Sequence, residues 1–264
     1  MRWLREHLVM LYAVVALGYL FVPIAYTVAF SFNQAGRSNL TWQGFTLDNW
    51  RNPCGAPEVC TALGNSLKIG LLATLGATLL GTMVAFALAR HRFRGRTSTN
   101  LLIFLPMATP EVVLGASLLA MFLNLRVNPG FWTVVIAHVM FCVSFVVVTV
   151  KARLAGLDPR LEQAAMDLYA DEWQTFRRVT LPLVAPGILA AALLAFALSF
   201  DDFIITNFNS GNVTTFPKFV YVSATRGIPA QANVVGSAMF LIALLVVLIG
   251  QVLAARRRAA AEAR

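Results

Sequence analysis

The stretch "GLLATLGATLLGTMVAFALA", residues 70–89, contains no charged side chain and is about as long as a helix that crosses a lipid bilayer. Small residues recur within it, at Gly70, Ala73, Ala77, Gly81 and Ala85. In membranes, small side chains at such spacing let two helices approach closely. The stretch therefore predicts a membrane-spanning helix that packs inside a helix bundle.

Six apolar runs of this kind lie along the chain, at roughly 8–32, 66–89, 101–124, 131–150, 184–208 and 234–255. The 264 residues are 58% hydrophobic, and the charged residues lie in short segments between the runs. No segment between them is long enough for a separate soluble domain. We therefore predict an all-α, polytopic membrane protein with six transmembrane helices, forming a single transmembrane domain over residues 1–264 with its core at 66–255.

The distribution of Lys and Arg predicts the orientation, because cytoplasmic segments carry an excess of positive charge. With the N-terminus inside, 15 of the 21 basic residues fall in inner segments: Arg2, Arg5, Arg90, Arg92, Arg94, Arg96, Lys151, Arg153, Arg160, Arg177, Arg178, Arg256, Arg257, Arg258 and Arg264. The other six are Arg37, Arg51, Lys68, Arg126, Lys218 and Arg226. We expect a multi-pass membrane protein with both termini in the cytoplasm. This bias accounts for the net charge of +9, so nucleic-acid binding is not inferred.

The three cysteines do not indicate a metal site. Cys54 and Cys60 lie in a loop expected outside, where an oxidising compartment permits a disulfide, although two free thiols are the alternative. His138 and Cys142 are four residues apart on one predicted helix, but two ligands do not make a zinc site, and helix packing is favoured. We expect no metal, no cofactor and no catalytic residue in this chain.

Glu111 is an ionisable side chain within the third apolar run. It follows Pro110, whose ring removes one helix hydrogen bond and should distort the helix. An acid inside a membrane span is a candidate functional residue. Two interpretations remain open, a group that lines a solute pathway and a structural contact to a neighbouring helix.

Two adjacent carboxylates, Asp201 and Asp202, lie within the fifth apolar run. Helical spacing places Asp202 on a stripe with Ala191, Ala195, Ser199, Thr206 and Asn209. Asp201 then lies on a more apolar face suited to packing. We therefore predict that Asp202 lines the substrate pathway for a cationic solute, together with Ser199, Thr206, Asp201 and Glu111. The alternative is that both acids bond helix ends or a second subunit.

The segment between the fourth and fifth spans, residues 151–187, is far longer than a turn requires. Asp158 and Pro159 can open one helix and Asp171 can cap another, which predicts two short amphipathic helices on the cytoplasmic face. Such helices either lie on lipid headgroups or dock a partner. The small and acidic residues of the first helix favour docking.

This segment resembles a known motif. The stretch "LEQAAMDLYADEWQTFRRVTLPLVAPGI", residues 161–188, is similar to the EAA loop of the membrane subunits of binding-protein-dependent ABC importers. In that family the loop forms the coupling helices that dock on a cytoplasmic ATPase. Gln163 stands where Glu is usual in the motif, and Tyr169 stands where Gly is usual. Gly permits a turn conformation at this position that costs Tyr energy. The resemblance implies coupling roles for Glu162, Gln163, Ala164, Ala165, Asp167, Leu168, Tyr169, Ala170, Leu181 and Pro182.

Most of residues 66–255 resembles the second permease subunit of spermidine/putrescine importers, through "TPEVVLGASLLAMF", "GFWTVVIAHVMFCVSFVVVTVKARL" and "LSFDDFIITNF". The resemblance implies a permease for a cationic solute in a bacterial plasma (inner) membrane. Its implied partners are a second permease subunit, two ATPase subunits and an extracytoplasmic solute-binding protein. The chain has no phosphate-binding G-x-x-x-x-G-K-[ST] motif, so ATP and Mg are expected in the partner ATPase, and the chain is not expected to be an enzyme.

Other functions remain as alternatives. An importer of the same class for an iron complex, thiamine or a sugar would share much of this pattern. A channel or proton-coupled carrier is disfavoured by the coupling-type loop, and a membrane enzyme by the lack of a Ser/His/Asp or HExxH pattern in the sequence.

Overall fold

Almost all of the described structure is helical. The computed structural model describes residues 2–36, 38–91 and 93–262, with side chains described at 7–36, 38–91, 93–252 and 255. Within these ranges the β-structure is limited to one bridge between Asn33 and Phe45. Outside the described residues lie Arg37, Arg92 and Arg264, and the side chains of Arg2, Arg5, Arg256, Arg257 and Arg258. The α-helices are α1 (Arg2–Ser31), α2 (Asp48–Arg51), α3 (Val59–Arg90), α4 (Arg96–Ala108), α5 (Glu111–Asn124), α6 (Phe131–Ala155), α7 (Arg160–Asp167), α8 (Glu172–Thr175), α9 (Leu181–Asp201), α10 (Ile204–Asn209), α11 (Phe216–Arg226) and α12 (Ala230–Glu262).

The membrane spans follow from helix length and hydropathy. Among the described residues, five helical segments are long and apolar enough to cross a membrane: His7–Ser31, Val59–Arg90, Phe131–Ala155, Glu172–Asp201 and Ala230–Val252. Helices α4 and α5 pass the same test together but bend by 106° at the break between them. Counted as one broken span, this pair brings the number to six. The predicted all-α fold with several transmembrane helices is confirmed.

The described residues group into two compact units, Met1–Cys60 with Val220–Arg264, and Thr61–Phe219. In the first unit α1 packs along α12. The fully buried side chain of Asn33 holds the segment after α1 in place. Its Nδ2 donates to Asn39 Oδ1 at 2.6 Å and to the Thr41 carbonyl at 2.8 Å. A disulfide joins Cys54 and Cys60, the first of the two alternatives left open by the sequence. The single domain over residues 1–264 stays a prediction.

The second unit is built around α6, which packs against α9 and is the most buried of the spans. Several side chains of α6 are fully buried, among them Val146 and Val150. Helix α3 presents its small residues to this core, where Ala77 and Ala85 are fully buried. A Cβ placed at Gly81 would lie 2.7 Å from the Cβ of Val146, so the two backbones approach too closely for a side chain. The close helix contact predicted from these small residues is confirmed.

The segment predicted as a coupling loop over 151–187 is shorter in the structure. Helix α6 continues to Ala155, and a π-helical turn at Phe176–Thr180 joins α8 directly to α9. The prediction of two separate amphipathic helices is therefore correct for α7 and wrong for the second, which is the beginning of the fifth span. Pro182 follows the π-helical turn directly, and the helix continues through it to Asp201.

We expect Gly81→Ala to destabilise the protein by about 1–3 kcal/mol, because the added methyl group overpacks the contact between α3 and α6. The measurement is the thermal unfolding of the purified protein in detergent. Gly64→Ala in the same helix is the matched control, since a Cβ there meets nothing within 4 Å. The control should be neutral or stabilising by up to about 1 kcal/mol. Equal unfolding midpoints for the two variants would contradict the close packing.

Candidate functional site

The fifth span does not continue as one helix through both of its carboxylates. Helix α9 ends at Asp201, and Asp202 adopts an extended backbone with φ −63° and ψ 124°. The carboxylate of Asp202 then accepts two N–H groups of α10, from Ile205 at 3.2 Å and from Thr206 at 2.8 Å. Both N–H groups lie in the first turn of α10, where a helix leaves its N–H groups without intrahelical partners. The continuous helix predicted over 184–208 is therefore wrong, because the chain breaks at Asp202.

His138 on α6 faces this break and is 1% exposed. Its Nδ1 lies 2.7 Å from Ser199 Oγ, and its Nε2 lies 3.0 Å from Thr206 Oγ1 and 3.2 Å from Asp202 Oδ2. A neutral ring with its proton on Nε2 can donate to Asp202 while Nδ1 accepts from the Ser199 hydroxyl. We call these four residues the His138 clamp, since they join the end of α9, the start of α10 and the middle of α6.

The predicted roles of the two neighbouring acids must be corrected. Asp202, Ser199 and Thr206 were expected to line an open pathway, but all three are buried against α6 and hydrogen bonded to His138, and Asp202 is only 8% exposed. Asp201, which was assigned to a packing face, is exposed. The reason is that helical spacing was carried across a break, where the periodicity of 3.6 residues per turn no longer holds.

Glu111 occupies the equivalent place at the other broken span. It is the first residue of α5, follows the bend at Pro110, and is exposed. An acid in the first turn of a helix is stabilised by the partial positive charge of the helix N-terminus. Helix α5, which begins at Glu111, packs against α10, which follows Asp202, so the two breaks lie in segments that contact each other.

Helix α10 connects the two breaks. The Asn209 side chain is fully buried, and its Nδ2 donates to the Gly115 carbonyl on α5 at 3.1 Å and to the Ile205 carbonyl at 2.9 Å. A Cβ at Gly115 would lie 2.9 Å from the ring of Phe208, so α10 rests directly on the backbone of α5. This contact is one helical turn after Glu111.

The chemistry available to these groups differs with burial. Ser199, His138 and Asp202 are bonded in a row, as in the triad of a hydrolase. All three are buried, however, so this Ser hydroxyl has no exposed face for a substrate, and the row acts as a structural link. The carboxylates of Asp201 and Glu111, by contrast, are exposed in this chain.

Glu162, which the resemblance assigned to coupling, is held within the chain. Arg90 Nη2 at the end of α3 donates to Glu162 Oε1, and Thr180 Oγ1 in the π-helical turn donates to the same oxygen at 2.6 Å. Glu162 therefore ties α7 to α3 and to the beginning of the fifth span. Asp171 caps α8 by accepting from the Gln174 N–H at 2.7 Å, as predicted.

The other coupling candidates form a largely exposed surface. Tyr169 is 98% exposed and has φ +64°, the left-handed conformation expected for a residue in the Gly position of the motif. Ala165, Ala170 and Leu181 are half-buried. Those fully on the outside are Gln163, Ala164, Asp167, Leu168, Tyr169 and Pro182.

Sequence reasoning missed two residues. His138 was taken as a packing residue, yet it is the centre of the buried polar cluster. Arg90 was counted only as a cytoplasmic charge, yet it bonds Glu162. A polar ring within an apolar span was the available indication for His138, because such residues are rare there and are usually bonded. No local pattern pointed to Arg90.

Comparisons with known proteins agree with this architecture. The family described as "Binding-protein-dependent transport system inner membrane component" matches residues 77–259. The chain is 35% identical over 237 residues to the spermidine/putrescine transport system permease protein PotC of Escherichia coli, covering 89% of each chain. It is 36% identical over 223 residues to the putrescine transport system permease protein PotI of the same organism, covering 81% of this chain and 79% of that one.

Among solved structures, the chain is similar to a subunit of a bacterial ABC transporter involved in the import of the acidic polysaccharide alginate. The TM-score is 0.67 at 17% identity, covering 94% of this chain and 96% of that chain. A complex of the alginate transporter with a pentasaccharide-bound periplasmic protein gives a TM-score of 0.69 at 16% identity, covering 94% and 92%. At this identity the likeness establishes the fold alone.

We expect Tyr169→Gly to stabilise the turn after α7, because Gly adopts the left-handed conformation without the cost of about 1 kcal/mol that a side chain incurs. The measurement is hydrogen exchange of the Ala170 amide, which donates to the Ala165 carbonyl at 3.1 Å. Exchange should slow by about fivefold, since a factor of ten corresponds to about 1.4 kcal/mol. Tyr169→Ala, which keeps the strain, is the control and should exchange like the parent. Similar slowing in both variants would show that strain is not the cause.

Proposed function

The chain belongs to the binding-protein-dependent transport system inner membrane components, and from this premise we propose that it forms half of the transmembrane pathway for a cationic solute, a polyamine such as spermidine or putrescine. The solute would be delivered by an extracytoplasmic binding protein. A second permease subunit would complete the pathway, and two ATPase subunits would drive it.

The observation that carries the proposal is the pair of exposed carboxylates at the two broken spans. Asp201 and Glu111 lie in spans whose apolar parts contain no Lys or Arg to neutralise them. An ammonium group pairs with a carboxylate through charge-assisted hydrogen bonds, which are stronger and shorter than neutral ones. Helical breaks at membrane depth are also places where transport proteins bind ions and solutes. Two such groups, at breaks whose helices α5 and α10 contact each other, suit a solute with more than one positive charge.

The relatives support a polyamine as the solute. Two of them are named as permease proteins of spermidine/putrescine and putrescine transport systems, and the identities of 35% and 36% extend over most of the chain. The acids of this chain do not favour an acidic solute such as alginate, although the fold is shared. An iron complex, thiamine or a sugar is the competing class, and uptake competition separates these solutes from amines.

The exposed surface of α7 and the following turn supports an ATPase partner. Ala164 presents a small side chain that lets a partner approach, and Leu168 and Tyr169 offer exposed apolar contacts next to it. The bonds of Glu162 to α3 and to the π-helical turn make this surface continuous with the fifth span. We propose that this face is cytoplasmic, with both termini on the same side, and that ATP hydrolysis takes place in the partner.

We expect Asp201→Asn and Glu111→Gln each to reduce uptake of labelled spermidine. A charge-assisted bond contributes about 1.5–3 kcal/mol, so uptake at limiting substrate should fall about tenfold or more. The measurement uses vesicles that contain the assembled importer, normalised to the amount of complex. Basal ATP hydrolysis should be unchanged, since neither residue lies in the coupling segment.

The matched control for these variants is Asp48→Asn, which removes an exposed acid of the first unit whose carboxylate pairs with Arg51 and accepts from the Thr46 hydroxyl, both close in sequence. This variant should transport normally. Normal uptake by both Asp201→Asn and Glu111→Gln would contradict the cationic pathway. Competition by thiamine or a sugar rather than by amines would assign the importer to the competing solute class.

A second prediction concerns coupling. Ala164→Arg should abolish co-purification of the ATPase and uptake, because a long charged side chain on the exposed face of α7 prevents close approach without disturbing the core. Ala224→Arg, at another exposed helical alanine in α11, is the control and should retain the ATPase. An Ala164→Arg complex that keeps its ATPase and transports normally would rule out docking at this face.

A further inference from the structure

We infer that His138 is a positioning residue for transport, which fixes the exposed carboxylate of Asp201 through the buried bonds of the His138 clamp. The inference rests on the proposed function, because it assigns His138 a role in presenting a group of the solute pathway. His138 itself is 1% exposed and does not contact the solute.

The first step is that the clamp determines the course of the chain at the break. Asp201 is the last residue of α9 and Asp202 has already left the helix, so the direction of the Asp201 side chain depends on how Asp202 is held. Asp202 is held from one side by two N–H groups of α10 and from the other by His138 Nε2 at 3.2 Å. His138 also bonds Ser199, which fixes the last turn of α9.

The second step is that His138 provides the link to a rigid element. Its helix, α6, is the most buried of the spans, and its neighbours along one face, Val134, Cys142 and Val146, are fully buried. Polar bonds in such a poorly solvated interior are stronger than in water and restrict motion. His138 supplies the bonds from α6 to Ser199, Asp202 and Thr206, whereas Thr133 of α6 bonds the Asn209 carbonyl at the far end of α10.

The third step extends the effect to the second carboxylate. Helix α10 starts at the clamp through Thr206 and ends on α5 through Asn209, whose Nδ2 bonds the Gly115 carbonyl at 3.1 Å. Glu111 is four residues before Gly115 on the same helix. If the bonds of the His138 clamp were lost, α10 and the part of α5 that bears Glu111 would therefore be less firmly held, as would Asp201. The effect on Asp201 should be larger, because Asp201 is next to Asp202 in the chain.

The test is a double-mutant cycle between His138 and Asp201, measured as uptake of labelled spermidine by the assembled importer in vesicles. We expect His138→Phe and Asp201→Asn each to reduce uptake by about tenfold, and the double variant to be no worse than Asp201→Asn alone. Once the carboxylate charge is gone, its position no longer matters. If uptake by the double variant falls by the product of the two single effects, about a hundredfold, the inference is overturned.

A matched control separates positioning from packing. Cys142 lies one turn after His138 on α6 and also reaches α9, where its Sγ donates to the Ala195 carbonyl at 3.5 Å, but it has no bond to the break. Cys142→Ala should have an effect that multiplies with Asp201→Asn. The same lack of additivity for Cys142→Ala would mean that any loss of packing between α6 and α9 produces the effect, which would overturn the specific role of His138.

Two further variants keep the test decisive if His138→Phe does not assemble. Ser199→Ala and Thr206→Val each remove one bond of the clamp and keep the buried volume nearly constant. Each should reduce uptake about threefold in the parent and have no effect in the Asp201→Asn background. Normal uptake by Asp201→Asn itself overturns the proposed pathway, whereas reduced uptake with independent clamp effects overturns only the inference on His138.

Discussion

A polar backbone group placed in lipid must find its hydrogen-bond partner inside the protein, because hydrocarbon offers none. This chain leaves the helical conformation twice within its apolar spans, between Ala108 and Glu111 and again at Asp202. At the second break the Asp202 carboxylate takes two N–H groups of the next helix, and the Asn209 amide binds two carbonyl groups. The buried polar side chains around His138 thus make an irregular backbone tolerable at this depth, and the exposed acids depend on that irregularity.

The two adjacent acids illustrate how burial divides roles between identical side chains. A buried carboxylate is costly unless it is paired and hydrogen bonded, and Asp202 has three such partners in Ile205, Thr206 and His138. Asp201 is exposed, so its carboxylate does not need such hydrogen-bond partners to offset a cost of burial. The Asp202 carboxylate therefore stabilises the break, and the break leaves the neighbouring Asp201 carboxylate exposed. In an importer pathway, this arrangement keeps the charge offered to a solute separate from the charge that maintains the fold.

The spans and their small-residue contacts could be predicted because each depends on local hydropathy or spacing. The break at Asp202 could not, since helical periodicity gives no indication of where it stops applying. The partners of His138 lie 61 and 68 residues away, and Arg90 and Glu162 are separated by 72. Such pairs are set by how helices pack, and one sequence does not reveal them.

The π-helical turn at Phe176–Thr180 is a place where the fifth span can lose one residue and remain helical. A π turn contains one residue more than an α turn, and it absorbs that residue without rotating the helices on either side. Deletion of one residue here would restore a regular α-helix, with Asp201 and α7 keeping their relative orientation. A deletion elsewhere in the same span would turn every later side chain by about 100°. Homologous chains that differ in length by one residue are therefore expected to differ at this turn, while the remainder of the span keeps its length.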